Sequence, residues 1–179
     1  MGIGMIDPLV IREEQRSYET GVFIMPLPHT WLHPHQVLVQ TPRRNYTVRD
    51  YGQFFDDINF SQGMEMMENV VDYVSLTHPG VRTVCVYTLG VHTPTKLVYK
   101  VNLQKNDTQH CKLPQGTFPD AQPERLMGDG DGTVSRESLE ACRHFLTSSD
   151  VLRSFQNINH GDVLKSTQIF ELIKSIVVT

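Results

Sequence analysis

The feature that most constrains this chain is a glycine-rich acidic segment at residues 128–134, which reads Gly-Asp-Gly-Asp-Gly-Thr-Val. Glycine loses more conformational freedom on folding than any other residue, so this spacing indicates a left-handed backbone or a close approach to another segment. Asp129 and Asp131 therefore stand on a tight loop in front of a helical pattern. A plain turn is one interpretation, because Asp and Gly both favour turns.

A second polar loop, Asn159-His160-Gly161-Asp162, also precedes an apolar helical pattern. An Asp on one loop and a His on a later loop follow the chain order of the acid and the base in the Ser-Asp-His triad of α/β-hydrolases. Spacing alone leaves the plain turn and the triad acid equally open.

Metal binding is the sharper alternative for the acidic segment. Asp129, Asp131, Thr133 and Glu140 fall at positions 1, 3, 5 and 12 of an EF-hand loop, but position 6, which must be Gly, is Val134. The proline-containing segment before it cannot form the entering helix. The pair His33 and His35 has no Cys or carboxylate cluster nearby, so a solvated loop is favoured there. We expect no metal and no other cofactor.

Hydrophobic periodicity predicts an α/β fold. Strands are predicted at residues 37–40, 81–87, 97–101 and 151–158, and helices from about Thr47, over 67–74, over 135–146 and over 169–177. Residues 1–36 are predicted to be an irregular segment, and residues 104–126 a long polar connection. Strand, Asp loop, helix, strand, His loop and helix form the C-terminal end of a mostly parallel sheet flanked by helices.

Composition limits the class of partner. The chain has 16 Lys and Arg against 20 Asp and Glu, a net charge of −4, which argues against nucleic acid. No apolar run approaches the length of a membrane span, and the first residues lack the pattern of a signal peptide. The 3 cysteines favour a cytosolic protein, whereas sequons at Asn45, Asn59 and Asn106 point to a glycoprotein.

Several segments resemble the lecithin:cholesterol acyltransferase family, and within it the branch of lysosomal (group XV) phospholipase A2. Residues 128–134 resemble the family's acid motif, and Val86–Pro94 resembles its Tyr-Gly-x-Gly-x-Pro-Thr-Pro signature, with departures at Thr88 and His92. The resemblance extends from about Pro8 to the C-terminus. It also includes an Arg-rich segment at residues 11–17 and one long block that contains residues 38–42, 45–51 and 54–58.

The resemblance implies the C-terminal, incomplete part of an α/β-hydrolase fold. Residues 1–36 would follow the lid region, and residues 37–179 would form the C-terminal half of the hydrolase domain. Asp131 would be the triad acid and His160 the base. A disulfide would join Cys85 and Cys142, as in some relatives, and leave Cys111 over.

The implied activity is that of a phospholipase A and O-acyltransferase of lipid metabolism. Its substrate would lie in a phospholipid membrane surface, and its acyl acceptor would be water or an alcohol. The full-length parent would be lysosomal or extracellular.

No serine in the chain has the strand–elbow–helix context of a nucleophile. The nearest match to Gly-x-Ser-x-Gly is Asn59-Phe60-Ser61-Gln62-Gly63, which follows a helical pattern and is interpreted as a turn between helices. We therefore expect an enzyme fragment that is inactive by itself. The alternative is a catalytically dead truncated isoform that acts as a binding or decoy protein.

Overall fold

The computed structural model describes residues 9–29, 31–74, 76–100 and 117–177. They form a mixed α/β structure with parallel strand pairs. Residue contacts divide the chain into two compact units. Unit 1 comprises Met1–His29, Pro34–Ser75 and Leu97–Glu124, and unit 2 comprises Thr30–His33, Leu76–Lys96 and Arg125–Thr179. The boundary predicted at residue 36 does not coincide with a boundary of either unit.

Unit 1 is mainly helical. It contains α1 (Arg12–Arg16), α2 (Glu19–Phe23), β1 (Val39–Gln40), β2 (Asn45–Tyr46), α3 (Tyr51–Asp57) and α4 (Gln62–Val71). Strand β1 pairs antiparallel with β2 and parallel with Leu97–Val98. The buried apolar side chains in this unit are Val22, Leu27, Tyr46, Val48, Tyr51, Phe55, Met67, Val70 and Ala121. The apolar periodicity from Tyr51 onwards therefore corresponds to a real core face.

The prediction of an irregular segment over residues 1–36 is wrong for part of that range, because α1 and α2 lie within it. Each helix has only five residues, which is too short for a full apolar period to appear in the sequence. Val22 is the one buried residue of α2, and α1 has none.

Unit 2 contains the residues of the acidic loop and the His loop. After β3 (Val84–Leu89), the chain enters β4 (Thr93–Val98), and β5 (Glu124–Gly128) leads into the acidic loop. Helix α5 (Arg136–Leu139) continues as a 3₁₀ helix at Glu140–His144, and β6 (Val151–Gln156) is followed by a 3₁₀ helix at His160–Lys165 and by α6 (Thr167–Val177). None of the helices in the described ranges is long and apolar enough to cross a bilayer.

The parallel pairing of β3 with β6 positions the turn after β3 and the His loop after β6. The register joins six residue pairs, from Val84 with Val151 to Leu89 with Gln156, so both strands end at the same level. The amide of Asn157 then donates to the carbonyl of Leu89 at 2.7 Å. Because parallel strands end at the same edge of a sheet, the segments that follow β3 and β6 begin side by side.

Strand β5 and helix α6 differ from the sequence prediction. Four of the five residues of β5 are exposed, so this strand gives no apolar signal and was assigned to a connection. In α6 the apolar stripe is present, but Ile169 is its one buried residue, whereas Phe170, Ile173 and Val177 are exposed.

Candidate active site

The Asp131 carboxylate is buried, with 2% of the residue exposed, and it faces His160. Its Oδ1 accepts hydrogen bonds from the amides of Thr133 at 3.0 Å and Val134 at 2.7 Å. Its Oδ2 lies 2.8 Å from Nδ1 of His160. The backbone adds a second link, because the amide of His160 donates to the carbonyl of Asp131 at 2.8 Å. The acid and the imidazole are thus joined through both side chain and main chain.

One ring nitrogen of His160, Nδ1, binds the Asp131 carboxylate. An ionised carboxylate only accepts hydrogen bonds, so Nδ1 of His160 is the donor and the neutral ring keeps Nε2 as a proton acceptor. The side chain is 55% exposed. No hydrogen bond to Nε2 is present among the residues that the structure describes. An imidazole fixed by a carboxylate at Nδ1, with Nε2 accessible, has the geometry of a general base.

The electrostatics keep Asp131 ionised. Burial raises the pKa of this carboxyl, but the hydrogen bonds from Val134, His160 and Thr133 lower it more. The net result is a pKa of Asp131 below its ordinary value of 3.8. The carboxylate can therefore hold the imidazole and stabilise an imidazolium over the whole range above that value.

The structure explains why glycine occupies residues 130 and 132 of the acidic loop. A Cβ on Gly130 would lie 2.3 Å from the carbonyl oxygen of Val134 and 2.5 Å from the hydroxyl of Thr93. Gly132 has a φ of +92°, which L side chains rarely adopt. The acidic loop therefore packs too closely on Thr93 to accept a side chain at residue 130, whereas residue 132 favours glycine because its backbone is left-handed.

Asp129 has a different role from Asp131. Its Oδ1 accepts a hydrogen bond from the amide of Gly90 at 2.8 Å, and its Oδ2 pairs with Arg136 at 3.3 Å. Asp129 therefore connects the acidic loop to the turn after β3 and to helix α5. It does not contact His160.

The residues that matched the EF-hand positions do not form a metal site. Glu140, one of them, binds Tyr87 and Arg143. No metal-binding group of three or more His, Cys, Asp or Glu side chains occurs within the described residues.

A second His–Asp pair in unit 2 has the opposite ring orientation. Nε2 of His78 lies 3.0 Å from the Asp150 carboxylate, and Nδ1 of His78 accepts the amide of Gly80 at 3.0 Å. Asp150 also accepts the amides of Thr83 and Thr147. Both ring nitrogens of His78 are occupied, so this pair fixes the chain before β3 and β6 and offers no free base.

Cys85 and Cys142 are joined by a disulfide with a Cα–Cα distance of 6.5 Å. It connects β3 to the 3₁₀ helix after α5. Beside it, Tyr87 donates to the Glu140 carboxylate at 3.2 Å, and Arg143 binds both groups. The remaining cysteine, Cys111, lies outside the described residues.

The other sequence-predicted sites that the structure describes belong to unit 1. Asn45 is exposed in β2, Asn59 is exposed with a φ of +53°, and Asn106 lies outside the described residues. Ser61 immediately precedes α4 and follows α3, so its context is helix–turn–helix. The sequence analysis missed the close contact of Thr93 with the acidic loop. The only signal for Thr93 was its place in the Val86–Pro94 segment.

Comparison with known proteins gives one consistent result. Residues 72–175 match the family described as lecithin:cholesterol acyltransferase. The chain is 35% identical over 179 residues to the lysosomal phospholipase A and acyltransferase of Mus musculus, covering 98% of this chain and 39% of that protein. It is 35% identical over 143 residues to the phosphatidylcholine-sterol acyltransferase of Mus musculus, covering 79% of this chain and 29% of that protein. It also matches the lecithin-cholesterol acyltransferase-like 1 protein of Arabidopsis thaliana at 33% identity over 98% of this chain and 37% of that protein.

Proposed function

Because the chain belongs to the lecithin:cholesterol acyltransferase family, we propose that it supplies the acid and the base of a phospholipase A and O-acyltransferase. The observation that carries this proposal is the 2.8 Å contact between Oδ2 of Asp131 and Nδ1 of His160, whose side chain is 55% exposed. The relatives' names support the activity, because all three contain the word acyltransferase and one also contains phospholipase A.

In the proposed reaction a serine hydroxyl attacks the ester carbonyl of a phospholipid. His160 takes the serine proton at Nε2, and Asp131 stabilises the resulting imidazolium. His160 then returns the proton to the leaving alcohol of the lysophospholipid, which leaves an acyl-serine. Water or an acceptor alcohol, deprotonated by His160, then attacks the acyl-serine. As the bond between the acyl group and the serine breaks, His160 returns that proton to the serine oxygen, and a fatty acid or a new ester is released.

The serine nucleophile belongs to a part of the enzyme that this chain does not match. The chain spans 39% of the length of the mouse relative. Among the described residues, no serine hydroxyl hydrogen-bonds to Nε2 of His160. We assign the nucleophile, the oxyanion donors and the lid to the remaining length of such an enzyme, with the hydrolase fold completed there.

The proposed setting of the full-length parent is lysosomal, as the name of the first mouse relative suggests, or extracellular. A structural disulfide such as Cys85–Cys142 is typical of proteins in oxidising compartments. The exposure of Asn45 and Asn59 is compatible with N-glycosylation, because both side chains are accessible.

A chimeric enzyme tests the proposal. The portion of the mouse relative that aligns with this chain is replaced by the chain, and hydrolysis of phospholipid liposomes is measured. We expect turnover in the chimera, and we expect His160→Ala and Asp131→Asn each to lower kcat by about 10⁴-fold or more. Asp129→Asn is the matched control. This variant keeps an oxygen that can accept a hydrogen bond from the amide of Gly90. Its kcat should therefore fall by less than about tenfold.

Retention of activity in His160→Ala would contradict the assignment. A chimera that folds and binds liposomes but never turns over phospholipid would instead favour the binding or decoy protein.

A further inference from the structure

Thr93, at the start of β4, makes two hydrogen bonds with one buried hydroxyl. The residue is 0% exposed. Its Oγ1 donates to the carbonyl of Val91 at 2.9 Å and accepts the amide of Gly132 at 2.8 Å. The hydroxyl therefore uses its donor and one acceptor position within the interior of unit 2.

The amide that Thr93 binds belongs to the peptide group directly after Asp131. The peptide group directly before Asp131 is held from the same segment, because the amide of Val91 donates to the carbonyl of Gly130 at 3.0 Å. Residues 91–93 thus fix both peptide planes that flank Asp131. Fixing these two planes restricts both soft backbone dihedrals of Asp131.

The direction of the Asp131 side chain depends on those dihedrals. Its Oδ1 is held by the amides of Thr133 and Val134, which directs Oδ2 to His160. The hydroxyl of Thr93 touches neither His160 nor the Asp131 carboxylate, so any effect on the pair passes through the backbone. Close packing makes the link stiff, because a Cβ on Gly130 would lie 2.9 Å from the Cβ of Thr93.

We propose that Thr93 is a positioning residue for the acid–base pair, and that its hydroxyl orients Asp131 toward Nδ1 of His160. This inference rests on the proposed function, since it assigns a purpose to the same pair. It predicts that removal of the hydroxyl changes the protonation pattern of the His160 ring, beyond any change in stability.

The test uses this 179-residue chain with ¹⁵N-labelled histidine and matched substitutions. Thr93→Val removes the hydroxyl at nearly constant shape, and Thr93→Ser keeps it. Thr95→Val is the control, because it removes a hydroxyl from the same strand that donates to Leu126 and not to a residue flanking Asp131. The readouts are the low-field Nδ1–H proton resonance of His160 and the ¹⁵N shifts that report its tautomer.

We expect wild type, Thr93→Ser and Thr95→Val to show the low-field resonance and the Nδ1–H tautomer. In Thr93→Val the resonance should be lost, and the ring should shift to a mixture of both tautomers. A folded Thr93→Val that keeps the wild-type resonance overturns the proposal, because the hydroxyl would then only satisfy a buried amide. If Thr93→Val does not fold, Thr93→Ser serves as the test of the proposal. Loss of the His160 resonance in a folded Thr93→Ser variant also overturns the proposal.

This readout requires no turnover. An inactive chimera therefore bears on the proposed function, whereas the His160 resonance decides the role of Thr93 separately.

Discussion

Asp129 and Asp131 are separated by one residue, yet their carboxylates bind different partners. Asp131 accepts a hydrogen bond from Nδ1 of His160 at 2.8 Å. Asp129 instead accepts a hydrogen bond from the amide of Gly90 at 2.8 Å and pairs with Arg136. One carboxylate is buried and the other is partly exposed, with 39% of the Asp129 side chain accessible. Burial and the imidazole partner together distinguish Asp131 from Asp129.

The isolated chain should not hydrolyse phospholipid. No described serine hydroxyl reaches Nε2 of His160, so the base has no nucleophile to activate. The measurement is fatty-acid release from liposomes by this chain and by its His160→Ala variant, which should be equally close to background. Turnover that depends on His160 would show a nucleophile within the chain, and Ser61→Ala would be the first variant to make.

The contribution of Asp131 to stability should depend on pH. The folded-state pKa of Asp131 is lowered, so its stabilising effect is complete above the unfolded-state value of about 3.9 and is lost as the pH falls through the folded-state value. Near pH 5, the free energies of unfolding of wild type and Asp131→Asn, measured by thermal unfolding, should differ by a constant amount. Below about pH 4 this difference should become smaller. A difference that grows on acidification would mean that the pKa of Asp131 is raised instead.

Gly130→Ala should destabilise the protein by about 1–3 kcal/mol, because the added Cβ would lie 2.3 Å from a backbone oxygen and 2.5 Å from the Thr93 hydroxyl. The matched control is Gly52→Ala in α3, where nothing lies within 4 Å of the added Cβ. That substitution should stabilise by about 0.5 kcal/mol through the unfolded state. Chemical denaturation of both variants gives the comparison, and equal stabilities would contradict the close packing of the loop.

Loss of the disulfide should cost about 4 kcal/mol, because Cys85 and Cys142 are 57 residues apart and the bond restricts a long loop in the unfolded chain. The experiment compares the double variant Cys85→Ser/Cys142→Ser with the parent. Both carry Cys111→Ser, so that no third thiol can exchange with the pair. A difference below about 1 kcal/mol would show that the unfolded chain is already compact without the bond.

The sequence analysis singled out Asp131 and His160, and the structure brings their side chains into contact. Both residues follow strands, because Asp131 comes after β5 and His160 comes after β6. The pairing of β3 with β6 joins two distant segments, so local patterns did not identify it. Strand β5 was missed because its exposed side chains have no apolar period. Thr93 was missed because its role arises from the approach of two distant segments, which no local pattern records.

The exposed stripe of α6 shows a further limit. Periodicity correctly identified the helix, but it could not state which residues are covered, because burial depends on what packs against the helix. Ile169 is buried, whereas Ile173 is 47% exposed in this chain. Apolar periodicity predicts which residues share one face of a helix, but it does not predict which segment packs against that face.

The Cys85–Cys142 bond also determines what a single cut in the backbone would do. Proteolytic cleavage at any one peptide bond between these cysteines leaves two fragments that remain covalently attached, because the bond joins the outer ends of that loop. If the cut lies after Leu89, one fragment keeps β3 and the other keeps β6 and His160, so the paired strands stay within one molecule. In gel electrophoresis, a protein cleaved in this way should migrate as one species before reduction and as two species after reduction. Proteolysis in a protease-rich environment need not separate β3 from His160.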